Sequence, residues 1–197
     1  MIMKKVSILV STIDSGGAEK QAVLLAIQLS KHTDVNLIVL YGGHTEYKGN
    51  VDLLTKSSVK VHRLNGSMLL KTIRIRELLK ESHTDVLLNY LTMPDLLGSF
   101  LGKRLKISVY NGIRNSRLPR SKMLIEKWAH NHWATATIYN CYSGADYFEK
   151  LGFRKDKNIV IPNCFPDIAE PIIRDNHSQR TITVSYTHLT LPTICSV

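Results

Sequence analysis

The sequence predicts an α/β protein built on a doubly wound parallel sheet. Three observations predict it. Short apolar runs such as 35–40 (VNLIVL) and 85–91 (DVLLNYL) recur along the chain, as strands buried on both faces do. Each run is followed by a segment with apolar residues at helical spacing. Glycine, proline or asparagine marks most of the junctions. Alternation of this kind imposes right-handed crossovers and a parallel sheet with helices on both sides.

The elements follow in order. Val6, Ile8, Leu9 and Val10 form the first strand, and a polar turn leads to Gly16 and Gly17. From Ala18 the period changes: Ala18, Ala22, Leu25, Ala26 and Leu29 make one helical stripe. Strand 35–40 ends at Gly42 and Gly43, and 44–58 is loop plus a short helix. Val59, Val61 and Leu64 read as a more exposed strand. Ser67 caps a helix that carries Leu70, Ile73, Leu78 and Leu79. After strand 85–91, Pro94 and Asp95 suit the first turn of a helix. Residues 107–110 form a fifth strand, 111–119 a polar loop, and 121–134 a helix with both tryptophans. Strand 137–139 precedes a helix opened by Ser143, with Asp146 completing a cap, and closed by Gly152. Residues 158–161 are the seventh strand.

Pro162, Pro166 and Pro171 then break the pattern. Residues 1–164 are thus one Rossmann-like domain, and 165–184 a linker into the start of a second. Residues 185–197 read as a non-native tail, because SYTHLTLPT looks like translated adapter sequence found on unrelated chains.

The totals narrow the function. The formal charge is +10 and the pI about 9.6, which favours anionic partners. Between Lys103 and Lys127 the only acid is Glu126, so this stretch is a candidate for anionic membrane or phosphate. No apolar run is long enough to cross a bilayer and no secretory leader is evident, so the expected location is cytoplasmic, peripheral at most on the inner membrane face. Cys141, Cys164 and Cys195 match neither a disulfide framework nor a metal pair. Helix-turn-helix, zinc and aromatic RNA-binding patterns are absent, which argues against nucleic acid. No Asp-x-Asp is present, and no metal or cofactor is expected. His130 and His132 point to different faces of one helix and are poor joint ligands.

Ligands of doubly wound sheets sit at the carboxyl ends of the strands. That gathers Gly16, Gly17, Tyr90, Arg114, Asn115 and Asn140 at one mouth. Gly16 and Gly17 precede a helix start, whose unpaired amides suit a phosphate; they serve a plain tight turn equally well. Arg114 offers a guanidinium fork for phosphate or carboxylate. Tyr110, Trp128 and Trp133 are stacking candidates or core.

Four segments in this order resemble the N-terminal domain of family-four retaining glycosyltransferases, enzymes of two Rossmann-like domains (the GT-B architecture). They are SGGAEKQAVLLA; DVLLNYLTMPDLL with ISVYNGIRN; TATIYNCYSGADYFEKLGF; and NIVIPNC. The resemblance implies sugar transfer from a nucleotide-diphosphate sugar to a glycan or lipid-linked acceptor in surface polysaccharide synthesis. It implies donor-phosphate binding at Gly16 and Gly17, an acceptor side lined by Tyr90, Arg114, Asn115 and Asn140, and an interdomain hinge at Asn163. Gly112-Ile113-Arg114 stands where many members carry a histidine, so no catalytic residue transfers. Cys141 and Cys164 replace the usual Ser and Gly. The donor-gripping glutamates belong to the second domain, so this chain by itself is expected to bind donor weakly and not to turn over. The alternative is a stand-alone Rossmann-like binding module that needs a partner chain.

Overall fold

The computed structural model describes residues 4–114 and 118–163. Seven parallel strands alternate with six helices. They are β1 (Val6–Val10), α1 (Gly17–Ser30), β2 (Val35–Val39), α2 (Lys48–Thr55), β3 (Lys60–Arg63), α3 (Met68–Glu81) and β4 (Val86–Tyr90). Then come α4 (Thr92–Leu105), β5 (Ser108–Ile113), α5 (Arg120–His132), β6 (Ala136–Tyr139), α6 (Tyr142–Lys150) and β7 (Asn158–Val160). The strand order is β3-β2-β1-β4-β5-β6-β7. The chain winds one way from β1 to β3 and the other way from β4 on. The topological switch therefore lies between β1 and β4, where Val10 pairs with Tyr90.

The pleat sorts the core onto two faces. Ile8 and Val10 of β1 and Leu37 and Val39 of β2 pack with Ala22, Val23 and Ala26 of α1. Leu9, Ile38 and Leu40 face the other way, onto Ile75, Leu78 and Leu79 of α3 and Leu101 of α4. A third cluster joins Ile113, Tyr139, Phe148 and Phe153 under α6. The edge strand β3 is partly exposed, as its sequence predicts.

Helix ends are satisfied locally. Ser67 accepts from the Leu70 amide at 3.4 Å, the expected cap of α3. Gly152 takes φ +90° after α6, and its N–H donates to the Glu149 carbonyl at 2.8 Å. The Lys157 ammonium donates to the carbonyls of His130, Asn131 and Ala134 at 2.8–3.2 Å, closing the end of α5.

Four expectations need correction. Leu70 and Ile73 are exposed, and the buried face of α3 is Lys71, Ile75, Leu78 and Leu79. Ser143 does not cap α6: the capping position is Cys141, whose side chain makes no capping bond to a helix amide and instead meets the Ser143 hydroxyl at 3.4 Å. Cys141 is disulfide-bonded, its partner lying outside the described residues. Strand β5 runs on through Asn111, Gly112 and Ile113, because those residues continue the ladder with Asn89, Tyr90 and β6. His130 is fully buried. Its ring bonds the Thr137 hydroxyl at 2.7 Å, and burial lowers its pKa to about 4.

Candidate functional site

The mouth forms where β1 and β4 part. Gly16 is the capping residue of α1, in extended backbone, and no side chain caps the helix. Gly16 thus offers the first-turn amides no capping side chain of its own. The two glycines differ. A Cβ on Gly16 would collide with the carboxyl group of Glu19, which folds back from the first turn toward the Thr12 hydroxyl at 3.4 Å. A Cβ on Gly17 would meet nothing within 4 Å. A side chain at Gly16 would thus have to displace the movable end of Glu19, whereas Gly17 borders open space.

Across the switch point, β4 delivers Tyr90. The next residue, Leu91, has φ +77° and ψ 156°, a conformation that costs a non-glycine residue about 1–3 kcal/mol. This kink starts α4 at once and keeps Tyr90 at the sheet end. The Arg114 guanidinium lies over the Tyr90 ring, 5.2 Å from its centroid. Arg114 Nη2 donates to the Tyr90 hydroxyl at 3.4 Å, and Nη1 donates to Asn163 Oδ1 at 2.6 Å. Three of the expected residues, from β4, β5 and the segment after β7, are thereby joined. Among the described residues Arg114 has no ion pair, and its Nε is buried without a hydrogen-bond acceptor. Asn140 follows β6 and is half-buried, with no hydrogen bond to Arg114 among the described residues. Asn115 lies outside the described residues.

Beneath Arg114 lies a feature that sequence reading did not find. Asp95 of α4 and Glu126 of α5 are both almost fully buried, and Asp95 Oδ1 and Oδ2 and Glu126 Oε2 have no hydrogen-bond partner among the described residues. Burial raises both carboxyls, Asp95 well above the usual carboxylate range. The Tyr139 hydroxyl, also buried, is held up by desolvation and then by these two acids. Charge spacing gave no hint. Glu126 looks like the lone acid of a solvated basic run, and Asp95 like an ordinary helix-start residue.

Two other surfaces border this end and flank of the sheet. A cavity of about 310 Å³ beside the end of β3 is lined by His62, Arg63, Lys71 and Arg74. A groove of about 390 Å³ between α3 and α4 is lined by Ile73, Phe100 and Leu105, with Arg76 and Arg104 at its edges. The tryptophans pack on one another, edge to face at 3.9 Å, and Trp133 packs on Phe100, so they are not free stacking platforms at the mouth. Among the described residues no cluster of three metal-ligating side chains occurs.

The model of Glycosyltransferase Family 4 matches residues 15–167. A relative from Campylobacter jejuni is 33% identical over 95 residues, covering 45% of this chain and 26% of that protein. It is GalNAc-alpha-(1->4)-GalNAc-alpha-(1->3)-diNAcBac-PP-undecaprenol alpha-1,4-N-acetyl-D-galactosaminyltransferase. Among solved structures, Anabaena Alr3699/HepE in complex with UDP-glucose aligns with a TM-score of 0.69 at 16% identity, over 83% of this chain and 44% of that one. The lipopolysaccharide outer core galactosyltransferase WaaB aligns at 0.59 and 12% identity, over 81% and 45%. UDP-N-acetylglucosamine 2-epimerase from Rickettsia bellii aligns at 0.56 and 16%, over 82% and 45%. The chain spans less than half the length of each of these proteins. A transferase and an epimerase share this sheet, so the likeness fixes the fold and leaves the chemistry to the site.

Proposed function

The chain belongs to Glycosyltransferase Family 4, and we propose that it forms the acceptor-side half of a transferase using a nucleotide-diphosphate sugar as donor. The observation that carries this reading is the pairing at the switch point. The uncapped start of α1 faces one side of the mouth, and Arg114, held by Tyr90 and Asn163, faces the other. An anion between them meets backbone N–H groups on one flank and a guanidinium on the other, the chemistry a diphosphate or a phosphorylated acceptor requires. The open space at Gly17 lets phosphate oxygens approach the backbone. Glycan or lipid-linked glycan is the proposed acceptor class, in line with the name of the Campylobacter relative. Transfer with retained stereochemistry also belongs to this proposal.

One wall of a cleft gives weak binding. Titration calorimetry of this chain with UDP-glucose is expected to show saturable binding with a Kd of about 1 mM or weaker, about −4 kcal/mol, and no release of UDP. Absence of any heat up to about 10 mM would count against the reading.

A specific observation favours a membrane-surface location. Leu69 (71% exposed) and Ile73 follow one face of α3, with Arg76 and Lys80 continuing it. Leu124 and Trp128 are exposed on α5, among Arg120, Lys122 and Lys127. Apolar side chains interleaved with cations on these two helices suit the interface of an anionic bilayer. No helix among the described residues is long and apolar enough to cross a membrane. The chain is expected to co-sediment with phosphatidylglycerol vesicles and not with phosphatidylcholine vesicles, and Leu69→Ser with Ile73→Ser to reduce pelleting several-fold. Equal pelleting with both lipids would remove the electrostatic part of this proposal.

A further inference from the structure

We propose that the cavity at the end of β3 is an anion subsite, in which the buried Lys71 ammonium takes a phosphate or carboxylate group carried by the acceptor glycan. The inference rests on the preceding reading only for the acceptor; that an anion suits the cavity does not depend on it.

Three observations carry it. The first is Lys71 itself. It lies on the inner face of α3 with Ile75 and Leu78, and it is 8% exposed. A lysine is rarely buried this far without a carboxylate beside it. Among the described residues its ammonium makes no hydrogen bond and no ion pair. It lies over the Tyr41 ring, 4.5 Å from the centroid. A ring face attracts the charge, yet the three N–H donors are left without an oxygen acceptor.

The second is the cavity. At about 310 Å³ it is large enough for a small ligand. Lys71 shares it with His62, Arg63, Asn65 and Arg74, and no Asp or Glu lines it. The two arginines already have acids. Arg63 donates to Glu46 at 2.7 and 2.9 Å, and Arg74 donates to Glu77 at 3.0 Å and Glu81 at 3.3 Å. The His62 ring is tied to Asn36 Oδ1 at 3.0 Å. Burial and then the Arg74 charge lower its pKa, against an opposing pull from Glu81. Lys71 is therefore the lining cation whose charge no acid answers among the described residues.

The third is position. Just past β1 the Ser11 carbonyl accepts from the Tyr41 amide at 2.9 Å, and just past β3 the Leu64 carbonyl accepts from the Gly42 amide at 3.1 Å. The ends of β1, β2 and β3 thus make one rim that runs from the mouth to the cavity. Two strand spacings, about 10 Å, separate β1 from β3. An acceptor glycan whose reacting end lies at the mouth can follow this rim and bring a charged substituent to Lys71. A phosphate ester or a sugar carboxylate supplies the oxygens that the ammonium lacks, and a neutral sugar leaves its charge unanswered.

The test titrates the ¹⁵N-labelled 197-residue chain with inorganic phosphate at fixed ionic strength. Lys71 Nζ and the amides of Leu64 and Asn65 are expected to shift together with a Kd of about 1–10 mM. Lys71→Met suits the apolar face of α3 and removes the charge, and it is expected to weaken this binding at least about tenfold. Any shift at Gly17 and Ala18 belongs to the mouth and is expected to be the same in both proteins. Glucose 6-phosphate and glucuronate distinguish the two sources of the anion: one of them is expected to bind more tightly than inorganic phosphate, and glucose not at all. An unmoved Lys71 Nζ in the unmutated chain would overturn the subsite, and so would unchanged affinity in a Lys71→Met protein whose amide spectrum shows it folded. Binding of neither sugar anion more tightly than inorganic phosphate would mean an adventitious ion only and would overturn the glycan assignment. UDP-glucose does not enter the readout, so its failure to bind at the mouth leaves this result intact, and the reverse.

Discussion

Replacing Gly17 with leucine is expected to weaken UDP-glucose binding at least about tenfold, a loss of about 1.4 kcal/mol or more. The same change is expected to leave folding stability within about 0.5 kcal/mol. The two outcomes separate because of where the side chain goes. A Cβ at Gly17 meets no protein atom within 4 Å, and the backbone there is ordinary first-turn helix, so nothing in the fold resists a leucine. The space it fills is the approach to the α1 amides. Urea unfolding and calorimetry of the same sample check both halves. Gly16→Leu is not an equivalent test, because its side chain would also displace the Glu19 carboxyl.

Gly98→Val is expected to do the opposite: to destabilise the chain by about 3 kcal/mol in urea unfolding, through overpacking and the loss of buried hydrogen bonds. Gly98 lies on the buried face of α4, where an added Cβ would collide with the side-chain amide of Asn89. Asn89 cannot step aside cheaply. Its Nδ2 donates to Asn111 Oδ1 at 2.9 Å, and Ser99 Oγ donates to the same oxygen at 3.0 Å, all in the core between α4, β4 and β5. A stability change below about 0.5 kcal/mol would mean that α4 does not sit as closely on the sheet as described.

These two glycines show what the sequence could and could not reveal. The strand, glycine turn and helix at 6–30 were legible because each element follows a simple period. The same holds for the seven strands, whose apolar runs are short, regular and separated by turn residues. Ends were less legible. The segment Asn111-Gly112-Ile113 has loop composition, yet it continues β5 because neighbouring strands supply its hydrogen bonds. Ser143 has the residue type of a cap but sits one position inside α6, which begins at Tyr142. On α3, Leu70 and Ile73 fit an apolar stripe, but the sheet selects the adjacent stripe with Ile75 and Leu79.

The site was legible in part. Tyr90 and Arg114 could be placed at one mouth because topology sends the ends of parallel strands to one side, whereas Asn163 was expected only as a hinge. That Arg114 would bond both of the others follows only from three-dimensional spacing. Asp95 and Glu126 were beyond reach, since their burial depends on how α4 packs against α5. Single-residue reading assigns each to solvent. The neighbour of Gly16 was also out of reach: the Glu19 carboxyl folds back over it from the helix it precedes.

The central claim is that an anionic sugar-nucleotide docks where β1 and β4 diverge, between the start of α1 and Arg114. Amide-resolved NMR of the ¹⁵N-labelled chain titrated with UDP-glucose tests it most directly. The account predicts that the largest shifts fall on Gly17, Ala18, Leu91 and Arg114, with inorganic pyrophosphate moving Gly17, Ala18 and Arg114 but not Leu91. Shifts confined to the basic faces of α3 and α5, or none at all at 10 mM ligand, would contradict it.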